Sequence, residues 1–478
     1  MIQPICRSAR HALVLSTAAA AIASAQGAAP SGAPKVVLRQ LPAATATSTD
    51  SLGSVAAVRQ LPNGNVLVND QARRRVVLMD PTMKVIGLVA DSTSSTNNAY
   101  GVRPGGLLPY RGDSTLFIEP AGLSMLVIDP AGKIIRTMAA PRANDVNFLV
   151  GGQFGNPGFD TQGRLVYRTM DFGFRGMRMQ PGQPFVPPPP PPDSSALVRF
   201  NLATRKLDTV SFFKIPKSGM QMSQDANGQM RMSITMNPLP VVDDWAVLSD
   251  GTVAIVRGRD YHVDFIGDAG TTVAEKIPYD WQRMTDDDKS RFLDSAKVAI
   301  EKTRAAVAAG GPGAAAAMQN GMQALGGGGG GAPQMVMVRE RADGPPPPAG
   351  PPGSGTAAGG AAAGGAPGGT VRADGGGAGG FQVPPINMVP ISELPDYKPV
   401  FGNGAVRADM DGRLWVRTIP TKVTTGGAIY DIIDKSGKLV DRVQVPAGTT
   451  IAGFGRGGVV YLGIRDTTGL HIQRIVSK

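Results

Sequence analysis

The chain reads as an all-β protein, a six-bladed β-propeller, on three observations. A turn of the form x-D/N-G-x followed by alternating apolar residues returns six times, at Gly64, Gly112, Gly163, Gly251, Gly412 and Gly457. A second turn related to D-P-x-G-K follows in most copies, so three strands are visible per copy and the apolar stretch leading in supplies a fourth. The turn glycines step by 48 and 51 residues, by 88 and 161 where insertions intervene, and then by 45. A repeat of about 40 to 50 residues made of four short antiparallel strands is the period of a propeller blade.

The first 25 residues carry Arg7 and Arg10, a short apolar run through Leu13, Val14 and Leu15, and then Ala23-Ser24-Ala25. A charged region, an apolar core and a small-residue site form the pattern of a secretory signal peptide. Residues 1–25 are therefore expected to be removed, with 26–34 as a linker, leaving a periplasmic or secreted protein. No later segment reaches about 18 uninterrupted apolar residues, so no transmembrane segment is expected. The only cysteine, Cys6, and one histidine, His11, lie in this leader, which leaves His262 and His471. Disulfides, cysteine nucleophiles, Cys-ligated zinc and a three-His zinc site are excluded from the mature chain. Loss of Arg7 and Arg10 takes the formal charge from +11 to +9. That balance suits an anionic partner; with no basic run longer than Arg73–Arg75, nucleic acid is not expected.

The copies run as follows. "LPNGNVLVND" (Leu61–Asp70) leads to "RVVLMDPTMKVIGLV" (Arg75–Val89), and "YRGDSTLFIE" (Tyr110–Glu119) to "SMLVIDPAGKIIRTM" (Ser124–Met138). "FDTQGRLVYR" (Phe159–Arg168) pairs with "SALVRFNLATRKLDTV" (Ser195–Val210) across a polyproline run, Pro187–Pro192. "VLSDGTVAIVR" (Val247–Arg257) precedes "YHVDFIGDAGTTVAEKI" (Tyr261–Ile277), and "ADMDGRLWVR" (Ala408–Arg417) precedes "AIYDIIDKSGKLVDRVQV" (Ala428–Val445). The last copy, Gly453–Val476, lacks a final strand, and "KVVLRQL" (Lys35–Leu41) is placed to supply it. The propeller is expected to span 35–478. The repeat "DGxLxV…(I/V)xxxDxxGK" resembles that of six-bladed propellers of the NHL-repeat and TolB-like kind, and more closely the exported, uncharacterised six-bladed propellers of bacteria. That resemblance implies a fold that hosts binding modules, lyases and lactonases alike.

Two insertions interrupt the pattern. Residues 278–304 form a helical segment: Thr285 is a candidate N-cap, Asp286–Asp288 complement the helix dipole, and Phe292, Ala296, Ala299 and Ile300 recur at helical spacing. Residues 305–380 are almost all Gly, Ala and Pro, too poor in apolar side chains to offset their ordering entropy, so disorder is expected. In "GMQMSQDANGQMRMSITM" (Gly219–Met236) the methionines stand two apart on both sides of an Asn-Gly pair. Paired thioethers could hold Cu(I), as could Met177/Met179 and Met335/Met337, but a hairpin with an apolar methionine face accounts for the spacing with no metal.

Aligned on the turn glycines, the strand after the turn ends at Asn69, Glu119, Arg168, Arg257, Arg417 and Arg465. By resemblance to six-bladed propellers this end lies at the face where ligands enter. Guanidinium groups bind carboxylate and phosphate through paired hydrogen bonds, so the expected ligand-binding set is these six residues. The competing reading ties each arginine to a loop aspartate such as Asp171, Asp260 or Asp466. His262 and Asp264 share a strand face and resemble a base with its orienting carboxylate, or else a packing pair. The expectation is a monomeric, non-catalytic binding or scaffold propeller with no metal and no cofactor. Its partner would be an anionic small molecule, a glycan or an acidic protein segment. The alternative is a metal-assisted, lactonase-like lyase or hydrolase, with carboxylates such as Glu119 at a calcium site.

Overall fold

The computed structural model describes residues 36–93, 100–152, 154–170, 192–216, 219–224, 230–308, 386–421 and 424–477. It is an all-β propeller of short antiparallel sheets with one long helix. The chain begins with β1 (Leu38–Gln40) and β2 (Ala46–Thr47). A first quartet follows: β3 (Val55–Gln60), β4 (Val66–Asp70), β5 (Arg75–Met79) and β6 (Val85–Ala90). The second is β7 (Gly106–Pro109), β8 (Thr115–Glu119), β9 (Ser124–Ile128) and β10 (Ile134–Ala139). The third is β11 (Gly158–Phe159), β12 (Leu165–Thr169), β13 (Ser194–Phe200) and β14 (Leu207–Lys214), after which comes the hairpin β15 (Gly219–Gln224) and β16 (Met230–Met236). The fourth is β17 (Asp244–Val247), β18 (Val253–Arg257), β19 (His262–Gly267) and β20 (Gly270–Val273). Helix α1 (Asp286–Ala308) and β21 (Ile386–Met388) lead to the fifth: β22 (Val406–Ala408), β23 (Leu414–Thr418), β24 (Ile429–Ile433) and β25 (Leu439–Gln444). The sixth joins β26 (Thr449–Phe454), β27 (Val459–Asp466) and β28 (Gly469–Val476) to the early strand β2.

The first strand of each quartet is innermost, and β26, β3, β7, β11, β17 and β22 lie beside one another in that order. A parallel pairing, Gly453↔Val58 and Phe454↔Arg59, joins β26 to β3 and so links the last quartet to the first. The apolar runs follow from this stacking, because a strand covered on both faces carries apolar residues at every position. β4 and β8 are buried throughout, whereas the outer strand β20 is exposed throughout. In the fourth quartet, Trp245, Val253 and Ile255 meet Val166, Leu197 and Phe213 of the third. On the opposite face Val256, Tyr261 and Val263 meet Val406, Leu414 and Val416 of the fifth. Each fully buried Val, Leu or Ile side chain contributes roughly 1.5–3 kcal/mol.

The turns explain the repeat. All six turn glycines adopt positive φ, from 59° at Gly112 to 90° at Gly251, where a Cβ is disfavoured. The aspartate that opens a turn accepts two main-chain N–H groups on Oδ1: Asp80 from Thr82 (2.8 Å) and Lys84 (3.1 Å), Asp129 from Ala131 (3.0 Å) and Lys133 (2.8 Å). Asp160, Asp409 and Asp434 do the same. A carboxylate that organises its own turn in this way accounts for the D-x-x-G spacing.

The N-terminal strand differs from expectation. The stretch Lys35–Leu41 does not complete the last quartet; β1 lies parallel to β25 as a fifth strand on the fifth quartet, with Arg39 paired to Asp441 at 2.6 Å. Completion falls to β2, antiparallel to β28 through Ala46↔Arg474 and Thr47↔Gln473. The reason lies at Leu41, which is buried with Val443, Val445 and Ile475, so the chain is anchored beside β25 before it reaches β28.

The methionine stretch is a hairpin with Met222 opposite Met232 and Met220 opposite Ile234; its turn, 225–229, lies outside the described residues. Met236 is buried against Ala296 and Ile300 of α1 with Ile386 and Met388 beside them, so this end of the hairpin is a packing surface. α1 is capped reciprocally: Thr285 Oγ1 accepts the Asp288 N–H (3.2 Å) and Asp288 Oδ2 accepts the Thr285 N–H (3.0 Å). No helix among the described residues is long and apolar enough to cross a membrane. The leader, Asp171, Met177/Met179, most of the polyproline run and residues 309–385, with Met335/Met337, lie outside the described residues.

Polar ties cross between quartets. The buried Tyr261 hydroxyl donates to Asp431 Oδ2 at 2.9 Å, and Arg442 holds the same carboxylate at 2.6 and 3.1 Å. Burial, and then the charge of Asp431, hold Tyr261 well above the usual phenol range, so it stays protonated. Asp431→Ala would strand both partners and is expected to cost about 3–5 kcal/mol. Urea unfolding monitored by tryptophan fluorescence measures this; a loss below 1 kcal/mol would mean that the tie is dispensable.

Candidate functional site

One face of the molecule collects the starts of the first and third strands of each quartet, the ends of the second strands, and the connections between quartets, as antiparallel order requires. The six residues expected to bind ligand all stand at or near second-strand ends on this face, but they do not point the same way. β4, β8, β12, β18 and β23 are each five residues long; Asn69, Arg168 and Arg417 occupy the fourth position, Glu119 and Arg257 the fifth. A shift of one residue turns a strand side chain to the opposite face of its sheet. The first group therefore faces the following quartet and the second the preceding one.

Their surroundings follow. Asn69 is wholly buried, donates to the Gly105 carbonyl at 2.7 Å and accepts from the Tyr100 hydroxyl at 2.8 Å. Glu119 accepts the Ala121 N–H on Oε1 at 3.0 Å and the Gly122 N–H on Oε2, closing its own turn. Arg168 is buried, donates from Nε to Ser195 Oγ at 2.6 Å, and stacks 5.2 Å from the Phe213 ring centroid. Burial lowers its guanidinium pKa against the charges of Asp244 and Asp243. Arg257 is bound by Asp264 through Nε (2.7 Å) and by Asp243 through Nη1 (2.8 Å). Arg465 is exposed and donates to the Gly53 carbonyl at 3.3 Å.

Arg417 differs. It is half-buried and, among the described residues, its guanidinium has no carboxylate partner and no hydrogen-bond acceptor. It pairs across the ladder with Tyr430, and its charge acts on that phenol and on Arg407, a residue of the innermost strand β22. Arg407, Tyr430 and the neighbouring Asp243/Asp244 are the polar groups that sequence reasoning passed over. The available signal was an arginine between the apolar residues Val406 and Ala408; only the ladder places it opposite Trp415.

His262 and Asp264 do come together. His262 Nε2 lies 3.2 Å from Asp264 Oδ1, and Nδ1 lies 2.8 Å from Asp260 Oδ1. With Arg257 on the other oxygen of Asp264, the imidazole is one member of a continuous polar network. His471 is held at Nδ1 by the Ser48 carbonyl (2.8 Å) and at Nε2 by Thr468 Oγ1 (2.8 Å). Among the described residues no three His, Cys, Asp or Glu side chains are arranged to hold a metal, and both oxygens of Glu119 are taken by main chain. Among the described residues no cluster of three such side chains therefore stands ready to anchor the calcium that metal-assisted hydrolysis would need.

No protein-family model matches the chain, and no curated protein matches it. Solved structures do align over most of its length. A gluconolactonase from Xanthomonas campestris is 10% identical with a TM-score of 0.33, covering 91% of this chain and 99% of that one. The calcium-binding protein regucalcin from Agrobacterium tumefaciens is 11% identical with a TM-score of 0.34, covering 92% and 98%. A candidate exported protein from Bacteroides fragilis is 8% identical with a TM-score of 0.35, covering 93% and 95%. Likeness at this level says nothing of this chain's chemistry.

Asp244 gives a measurable consequence. Burial pushes its carboxyl up to about 6, against the N–H groups of Val406 and Trp245 and the charge of Arg168. A carboxyl whose pKa is raised on folding contributes stability below the unfolded value, and that contribution is lost as pH rises from about 4 through about 6. Asp244→Asn removes the titration while keeping an acceptor for Val406. Its stability relative to the parent is expected to rise by about 3 kcal/mol between pH 4 and pH 7; a difference that stays flat in parallel urea titrations would contradict this.

Proposed function

We propose that the chain is an exported, six-bladed propeller that binds an anionic ligand on the face bearing the second-strand ends. Six antiparallel quartets, their innermost strands adjacent in chain order, and the parallel link from β26 to β3 support a single closed ring. The leader pattern of residues 1–25 supports export to the periplasm or beyond. The observation that carries the binding role is Arg417: a half-buried guanidinium with no described protein partner is a charge kept for something else, given the cost of holding it out of bulk water unpaired. Arg257, by contrast, is spent on two aspartates, and Arg168 on Ser195 and Phe213.

The ligand class that fits is a small molecule or acidic segment carrying carboxylate or phosphate. Nothing among the described residues singles out a scaffold role without a ligand. Lactone hydrolysis is the second reading on chemical grounds, since it releases a hydroxy acid whose carboxylate Arg417 would take, although among the described residues no cluster of three His, Cys, Asp or Glu side chains supplies its metal site. Both are tested together. Calorimetry with gluconate at low ionic strength should show binding that Arg417→Ala weakens by about tenfold and Arg465→Ala by less than about twofold. Equal binding by the parent and Arg417→Ala would remove the proposal, and acid release from gluconolactone that exceeds its spontaneous hydrolysis and survives a chelator would make the site a metal-independent hydrolase instead.

A further inference from the structure

The side chains around Arg417 form a more specific arrangement. Ladder pairing places Arg407 opposite Trp415 and Arg417 opposite Tyr430, so all four share the face of the fifth quartet that meets the sixth. Trp415 packs against the Phe454 ring of β26 at 5.1 Å and against Tyr430 at 6.1 Å. Arg407 reaches across the same boundary. Its guanidinium stands 5.6 Å over Phe454 and donates to the main-chain carbonyls of Ile451 and, at 3.4 Å, Ala452. Those partners are neutral, so two guanidinium charges on one sheet face act on each other with no described carboxylate to balance them.

The carboxylates of the same quartet are committed elsewhere. Asp409 holds Arg413 (2.9 Å) and the Trp415 indole N–H (3.0 Å), Asp431 holds Arg442 and Tyr261, and Asp441 holds Arg39. Tyr430 is buried, and its hydroxyl has no hydrogen-bond partner among the described residues. Burial raises its pKa, outweighing the charges of Arg417 and Arg407, so it stays a donor at neutral pH.

We propose that Arg407, Arg417 and Tyr430 form a subsite for a doubly charged oxyanion of the phosphate monoester class. Two uncompensated guanidinium groups are neutralised by a dianion and only half neutralised by a carboxylate or a phosphate diester. The planar forks match the oxygen spacing of phosphate, with the phenol supplying a further hydrogen bond. A phosphate monoester carries close to two charges once its second proton, with pKa about 6, is lost. The inference rests on the reading that this face binds anions and adds which anion and through which residues.

The test compares methyl phosphate, a dianion at pH 8, with dimethyl phosphate and acetate, both monoanions, by calorimetry at low ionic strength. The parent protein should bind methyl phosphate at least about tenfold more tightly than either monoanion. Arg417→Gln should abolish that preference, and Tyr430→Phe, which keeps the ring packing against Trp415, should weaken methyl phosphate about three- to tenfold with little effect on acetate. Arg465→Gln should change neither. Equal affinity for all three probes, each lost in Arg417→Gln, would overturn the dianion subsite while leaving the anion-binding face intact. Methyl phosphate binding that ignores both Arg417→Gln and Tyr430→Phe would overturn the assignment to these residues, and no binding of any probe would overturn both readings.

Discussion

The interaction on which the rest depends is the packing of each sheet between two others. A side chain on a middle strand can point only toward the preceding or the following quartet, and either direction ends in a closed interface of Val, Ile, Leu and aromatic residues. Water reaches the outer strands and the turn-bearing rims. The middle strands, with β4, β8 and β24 buried at every residue, have no solvent face to retreat to.

That constraint decides the fate of each polar group the sequence places there. A polar side chain between two sheets must find a partner or lose free energy. Asn69 finds a carbonyl and a phenol, Asp431 an arginine and a tyrosine, and Asp244 the Val406 N–H of the next quartet. These ties also set the order of neighbouring sheets, because each donor meets its acceptor only across the correct boundary. Between the fifth and sixth quartets the rule is incompletely obeyed: Arg407 settles on neutral carbonyls and a ring, and Arg417 settles on nothing described. That departure from local satisfaction is the observation on which the proposed anion site rests.

Much of the architecture was legible in the sequence because its turns are local. Asp80, Asp129 and Asp434 each build their turn from groups within four residues, and the left-handed glycines mark the same points, so counting turns counts sheets. The start of α1 was legible for the same reason, since Thr285 and Asp288 cap it reciprocally. The N-terminal strands were not. β1 and β2 pair with residues some four hundred positions away, and the burial of Leu41 that chooses between them exists only once those partners are assembled. The arginines stand at or near strand ends, but the distance from the turn glycine varies from five residues at Arg417 to six at Arg257 and eight at Arg465. In a strand one residue is the difference between facing one neighbour and facing the other, so the apparent ring divides between two directions.

By itself the sequence determined the repeat, the turns, the helix cap and the strongly basic balance, all of which depend on residues close together in the chain. Only the tertiary structure decided which charges are spent. Arg257 meets Asp243 and Asp264 beside its own strand, while Arg407 and Arg417, opposite Trp415 and Tyr430 on adjacent strands, share a sheet face with no described acid to pair with. Pairing of charge is a matter of distance in space, and for side chains on separate strands that distance is set by strand register and sheet stacking.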